Sequence, residues 1–352
     1  MHYNLLFFTI FCFFDSFFTT FAAKLLKIML LDIVLIIVGV ALVLWGADRL
    51  TEGASGLARR MNVPEIVIGL TIVAAGTSAP ELFVSLVSAL KGTPDMALGN
   101  VVGSNIFNTL LIVGCAAMVA PMVIAKSTVK TDIPFTVIAS VLLLAACMDF
   151  LPTGNISGHE LSRMDGLLLL VGFAVFMFYT FRVAATKPQQ TKEEEEDGAV
   201  TTMGVWKGVL FVVIGLACLI FGSNLFVDSA TDVARELNIS EGVIGLTIVA
   251  GGTSMPELAT SVVAARKGQS AIAIGNVIGS NVFNILLILG LTATISPMAI
   301  QGITLVDLSV MMVSVLMVWG FSYTKYTVAR WEGAVLVLVF LGYMAWLWQS
   351  IA

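Results

Sequence analysis

Residues 65–122 read EIVIGLTIVAAGTSAPELFVSLVSALKGTPDMALGNVVGSNIFNTLLIVGCAAMVAPM, and residues 241–298 read EGVIGLTIVAGGTSMPELATSVVAARKGQSAIAIGNVIGSNVFNILLILGLTATISPM. The two stretches align at a constant offset of 176, and about 36 of the 58 pairs are identical. The offset holds upstream, pairing Gly46 with Gly222, Arg59 with Arg235 and Asn62 with Asn238. Self-similarity of this extent means that the chain is two copies of one structural unit.

Composition fixes the solvent of that unit. Of 352 residues, 58% are hydrophobic and 12% charged, with a mean hydropathy of +0.99. Soluble domains carry roughly 25% charged residues, so a cytosolic globular protein is excluded, as are disorder, collagen and a secreted disulfide scaffold. A net charge of −5 leaves no basic field for nucleic acid. Cys12, Cys115, Cys147 and Cys218 share no ligand-like spacing and read as apolar fillers. The remaining class is a polytopic protein whose partner is the lipid bilayer. A monomer is expected.

Apolar runs of 17–25 residues predict ten spans, near 30–50, 65–90, 96–119, 132–151, 164–184, 204–228, 240–265, 271–295, 303–324 and 331–349. No alternating β pattern competes, and helices satisfy their own backbone in lipid, so the class is all-α. Residues 29–184 and 204–352 form two five-helix repeats. Five is odd, so the second repeat enters the membrane with opposite polarity. Inverted repeats of this kind set a substrate site near the midplane between the halves and underlie alternating-access carriers.

Two segments fall outside the repeat. Residues 1–28 are Phe-rich but broken by Asp15 and Ser16, and they lack the basic start of a signal peptide. We read them as a dispensable extension without function, with Met29 as an alternative start, the other reading being an extra or interfacial helix. Residues 185–203 are a linker holding Glu193–Asp197, a solvated run of like charge. About 13 of the 18 lysines and arginines lie in loops following odd-numbered spans. Cytoplasmic loops retain positive charge, which predicts a multi-pass protein of the plasma (inner) membrane with a cytoplasmic linker and both core termini outside.

Each half carries two polar interruptions. The first is Gly76-Thr77-Ser78-Ala79-Pro80-Glu81, matched by Gly252-Thr253-Ser254-Met255-Pro256-Glu257. The second runs from Gly99-Asn100 to Ser104, Asn105 and Asn108, matched by Gly275-Asn276 to Ser280, Asn281 and Asn284. A charge at the centre of a membrane helix costs about 2.5–3.5 kcal/mol on insertion scales, so Glu81 and Glu257 call for a compensating cation or proton. Pro80 and Pro256 lack an N–H, which frees the carbonyls of Gly76 and Gly252. Thr77 and Ser78 precede Glu81 by four and three residues, so hydroxyl and carboxylate can share a helix face, as can Ser104 with Asn108 and Ser280 with Asn284.

Every candidate ligand is a hard oxygen. Ca²⁺ accepts six to eight such ligands in flexible geometry, whereas Zn²⁺ and Cu favour His or Cys. The histidines, His2 and His159, lie in the extension and a loop. Singly, Ser104 reads as a packing residue, and the Pro–Glu pair has a kink beside a snorkelling acid as its alternative reading. The same constellation in both halves argues for a cation site. Asn105 and Asn281 read as helix-bonding or packing residues, and Asp48, Glu52, Asp228 and Asp232 as interfacial acids.

At these motifs the sequence resembles the cation/calcium exchanger superfamily, specifically its prokaryotic sodium/calcium exchanger-like proteins, whose two α-repeats carry Gly-Thr-Ser-x-Pro-Glu and Gly-Asn-x-x-Gly-Ser-Asn-x-x-Asn. The resemblance implies that Glu81 and Glu257 ligate calcium and that Thr77, Ser78, Thr253 and Ser254 supply oxygens to calcium and sodium. It further implies that Ser104 and Ser280 line flanking sodium sites, that Asn108 and Asn284 complete the centre, and that the first and sixth helices slide over a rigid core. Sodium-coupled members can carry Asp at the position of Asn284. With Asn in both halves only two central acids remain, so three bound Na⁺ would leave excess positive charge to desolvate. Two protons on Glu81 and Glu257 would neutralise the site instead.

The expectation is thus a secondary antiporter exchanging Ca²⁺ for Na⁺, with a Ca²⁺/H⁺ (or other cation) antiporter using the same site as its alternative and a passive cation channel behind both. No protease constellation falls in a span and no P-loop is present, so neither an enzyme, ATP drive nor a cofactor is expected, only transported Ca²⁺ with Na⁺ or H⁺.

Overall fold

The computed structural model describes residues 2–91, 94–148, 160–186, 203–237, 250–300 and 303–351, with side chains described for 30–91, 96–148, 160–182, 203–237, 251–300 and 303–349. The chain is mostly helical, as backbone in lipid requires. The first half holds α1 (His2–Met61), α2 (Glu65–Ile68), α3 (Ala74–Thr77), α4 (Ala79–Leu90), α5 (Pro94–Ile106), α6 (Val113–Val119), α7 (Ile133–Cys147) and α8 (Arg163–Thr186). The second holds α9 (Val205–Glu236), α10 (Ala250–Thr253), α11 (Met255–Arg266), α12 (Ser270–Val282), α13 (Gly290–Ile295), α14 (Leu305–Tyr323) and α15 (Arg330–Ile351). π-helical turns at Gly69–Val73, Phe107–Ile112, Thr128–Asp132 and Phe283–Leu289 link successive pieces.

Among the described residues eight helices are long and apolar enough to cross a membrane, and the pair Glu65–Thr77 and Ala79–Leu90, bent by 47°, makes a ninth. The expected span at 240–265 begins outside the described residues, as does the acidic run of the linker. The expected extension at 1–28 is continuous in backbone with α1, and its side chains lie outside the described residues. Two boundaries differ from expectation. The first span continues to Met61 and the sixth to Glu236, and along these helices Arg49 reaches Glu52 at 2.9 Å and Arg235 reaches Asp232 at 3.4 Å.

The spans differ sharply in depth. Ser270–Ile295 is 94% buried and Met96–Val119 is 72% buried, against 28% for Leu30–Met61 and Val205–Glu236. The second polar interruption therefore runs through the centre of the bundle, while α1 and α9 lie at its edge.

Those two edge helices meet along glycines. A methyl on Gly39 would lie 2.8 Å from Gly222 O, one on Gly46 2.8 Å from Gly215 O and one on Gly53 2.8 Å from Gly208 O. As the number rises on α1 it falls on α9, so the helices run antiparallel. Each contributes a glycine every seventh residue, and absent side chains let the backbones touch, the usual device of membrane helix pairs.

Among the described residues four two-residue strands depart from the purely helical expectation: β1 (Met122–Val123), β2 (Glu160–Leu161), β3 (Met298–Ala299) and β4 (Thr327–Val328). β1 pairs with β4 and β2 with β3, both antiparallel, so each ladder ties one half of the chain to the other. Three buried acids serve helix starts. Asp165 accepts from Ser162 N, Asp307 from Thr304 N and Glu332 from Ala329 N, satisfying donors that no helix turn can reach.

Candidate cation site

The bend between α3 and α4 is set by local chemistry. Ser78 (φ −82°, ψ 7°) leaves the helical region ahead of Pro80 in the first turn of α4, and Ser254 (φ −88°, ψ 8°) does the same ahead of Pro256 in α11. Each break starts a twelve-residue helix with a glutamate, Glu81 or Glu257, in its first turn. The positive end of the helix dipole favours a carboxylate there. Both glutamates are 1% exposed.

The hydroxyls cross between the halves. Ser78 Oγ donates to Glu257 Oε1 at 2.9 Å, and Ser254 Oγ donates to Glu81 Oε1 at 3.1 Å. Same-helix spacing suggests that Ser78 faces Glu81. The break turns it toward the opposite half instead. Ser280 Oγ donates to Glu257 Oε1 at 3.4 Å, and Ser104 Oγ lies 3.3 Å from Ser254 Oγ. The two acids and four serines thus form a buried polar cluster of two hydrogen-bonded groups, Glu257 with Ser78 and Ser280 and Glu81 with Ser254 and Ser104.

Two asparagines brace it. Asn100 Nδ2 donates to Glu81 O at 3.3 Å and Ser85 Oγ at 3.0 Å. Asn276 Nδ2 donates to Glu257 O at 3.3 Å and Ser261 Oγ at 3.0 Å. Thr77 Oγ1 donates to Asn276 Oδ1 at 3.1 Å, joining the first half's break to the second half's centre. Thr253 is half-buried. Asn108 and Asn284 lie in the π-helical turns, where an extra residue widens the helix. Asn108 Nδ2 donates to Asn281 Oδ1 at 3.1 Å, and Asn281 Nδ2 donates to Thr109 Oγ1 at 2.8 Å.

What the cluster leaves unpaired is informative. Glu81 Oε2, Glu257 Oε2, Asn108 Oδ1 and Asn284 Oδ1 are buried without a hydrogen-bond partner. Leaving a buried polar atom unpaired costs about 1–3 kcal/mol, and a charged one more. These four oxygens, from the two acids and the two π-turn asparagines, form the kind of set that a hard cation satisfies, and Ca²⁺ in particular takes carboxylate and amide oxygens together.

The structure joins Glu257 with Ser78 and Ser280, and Glu81 with Ser254 and Ser104, and buries Thr77, Asn108 and Asn284 beside the same helices. Sequence reasoning gave no role to Asn100, Asn276, Ser85 or Ser261. Their signal was available, since all four are identical across the 176-residue offset. Asn281 has the helix-bonding role expected of it, joining Asn108 and Thr109 of the other half. The carbonyl of Gly252, freed by Pro256, accepts a hydrogen bond from Ser223 Oγ on α9.

Known proteins resemble the chain over most of its length. The family described as sodium/calcium exchanger protein matches residues 31–182 and 207–349. CaxA of Alkalimonas amylolytica is 37% identical over 330 residues, 92% of this chain and 100% of its own length. The sodium/calcium exchanger MaX1 of Methanosarcina acetivorans is 31% identical over 341 residues, covering 89% of this chain and 97% of that protein. A solved structure of the sodium-calcium exchanger NCX_Mj, soaked with 10 mM Na⁺ and zero Ca²⁺, superposes with a TM-score of 0.74 at 29% identity, over 90% of this chain and 99% of that one.

Proposed function

The chain belongs to the sodium/calcium exchanger protein family and is a multi-pass membrane antiporter, and we propose that it exchanges Ca²⁺ for Na⁺ by alternating access, with Glu81 and Glu257 holding the cation. The observation that carries this reading is the pair of buried carboxylates, each with one oxygen left unpartnered. Two negative charges balance one Ca²⁺, and the serine and asparagine oxygens around them complete a hard ligand set. The exchangers MaX1 and NCX_Mj, similar over most of their length, support calcium and sodium as the transported ions.

The antiparallel packing of α1 on α9, helices at equivalent positions of the two repeats, supports inverted topology. So do the reciprocal ladders, since β1 and β3 stand at equivalent places in the repeats and each pairs with the other half. In this reading α1 and α9, each only 28% buried, shift together over the central helices and open the glutamates to one side at a time. The excess of lysine and arginine in loops following odd-numbered spans puts the linker in the cytoplasm and the core termini outside.

One feature favours a second driving ion. Asn108 and Asn284 are both amides, so two monovalent charges already neutralise the site, and protons on the two glutamates serve as well as sodium. The test is ⁴⁵Ca²⁺ uptake into proteoliposomes with Na⁺ and H⁺ gradients imposed separately. We expect uptake driven by an outward Na⁺ gradient and lost in Glu257→Gln. Uptake driven by H⁺ alone would transfer the coupling to the glutamates' protons, and absence of calcium flux under either gradient would overturn calcium as the substrate.

A further inference from the structure

We propose that Ser223 is a positioning residue for ion exchange. Its hydroxyl ties α9 to the helix break of the second half, a tie that the first half lacks the residue to make. The bond runs from Ser223 Oγ to Gly252 O. Pro256 has no N–H, so this carbonyl has no helical donor at the usual position. Ser223 is 2% exposed, and a methyl added to Gly252 would collide with Val227 Cγ2. α9 is therefore seated directly on the break, one residue before Thr253 and five before Glu257.

The repeat offset identifies what stands opposite. Ser223 corresponds to Ala47, Gly252 to Gly76 and Pro256 to Pro80. The first half frees the same carbonyl, but Ala47 has no hydroxyl to offer it. Gly76 faces Leu216 of α9, an apolar contact without a donor.

A second tie has the same one-sidedness. Lys267, which caps the end of α11, meets Asp48 Oδ1 at 2.6 Å and donates to Asp48 O at 2.9 Å and to Thr51 Oγ1 at 3.1 Å. Its counterpart Lys91 has, at the positions matching Asp48 and Thr51, Asn224 and Val227. The α1–α9 pair is thus fastened to the second half by a buried hydroxyl and an ion pair, and the matching first-half positions carry neither group.

This inference rests on the alternating-access reading. If α1 and α9 move over the central helices, both ties must part, and sequence differences between the halves weight the two facing states unequally. A net hydrogen bond of ordinary strength corresponds to a shift of about fivefold.

The experiment uses the full chain in proteoliposomes, with the KM for Ca²⁺ measured separately at each face for wild type, Ser223→Ala and Ala47→Ser. Ser223→Ala weakens the state seen here. Ala47→Ser supplies the missing donor to the opposite state. Both are therefore expected to move the ratio of the two KM values in the same direction by about fivefold, and together by about the product, since the sites are separate. Asp48→Asn moves it the same way by less, because the ion pair is about a third exposed. A purely structural role would lower kcat at both faces and leave the ratio unchanged, and that result overturns the inference alone. A wild-type protein without calcium flux overturns the exchange reading and this inference with it.

Discussion

Glu81→Gln and Glu257→Gln are each expected to abolish calcium transport while leaving a folded protein. Glutamine keeps the shape of glutamate, and its Oε1 can still accept from Ser254 or Ser78, which donate to the acids at 3.1 Å and 2.9 Å. What it removes is one of the two charges facing a divalent ion. Deleting one partner of a buried charge pair costs about 3–5 kcal/mol, more than a hundredfold in apparent calcium affinity. The sign for stability is opposite. Without calcium a buried, unpaired charge is a burden, so the amide variants are expected to unfold at no lower temperature than wild type in calcium-free detergent. The rise in melting temperature that calcium produces in wild type should be absent from both. Loss of the folded protein in either variant would mean that the acid is structural.

The second large effect concerns the α1–α9 seam. A Cβ on Gly215 would lie 2.6 Å from Leu50 N and 2.8 Å from Gly46 O, both backbone atoms that cannot swing aside. Gly215→Val must push the helices apart, and overpacking of this kind typically costs about 1–3 kcal/mol. Because the whole heptad-spaced glycine row shares that interface, transport is expected to fall more than tenfold along with a lower melting temperature. Gly320→Ala is the control, since nothing lies within 4 Å of its added carbon. Equal activity and stability in the two variants would show that the seam does not require close approach.

The sequence made the site legible because duplication filters noise. Any serine or asparagine in an apolar run is ambiguous, but identity at the 176-residue offset singled out Glu81, Ser78, Ser104, Asn108 and their counterparts, and all of these are at most 4% exposed. Partnership was less legible. Helical spacing joins Ser78 to Glu81, whereas the serine sits at a 47° bend and serves Glu257. A one-residue widening in an apolar run leaves no compositional trace, so the π-helical turns at Asn108 and Asn284 were invisible. The two-residue strands are too short to alternate. The glycine rows on α1 and α9 were present in the sequence, but periodicity alone names no partner. Ser223 reaches a carbonyl 29 residues onward, and no local rule anticipates that contact.

The location of the bound cation tests the central claim most directly. Crystals of the protein soaked with Ca²⁺, or with Sr²⁺ as its heavier analogue, would show the ion by anomalous scattering. The account predicts one strong peak between Glu81 and Glu257, about 2.3–2.6 Å from carboxylate oxygens of both, absent from Glu257→Gln crystals soaked in the same way. A peak that persists in the variant, or lies away from both glutamates, would contradict it.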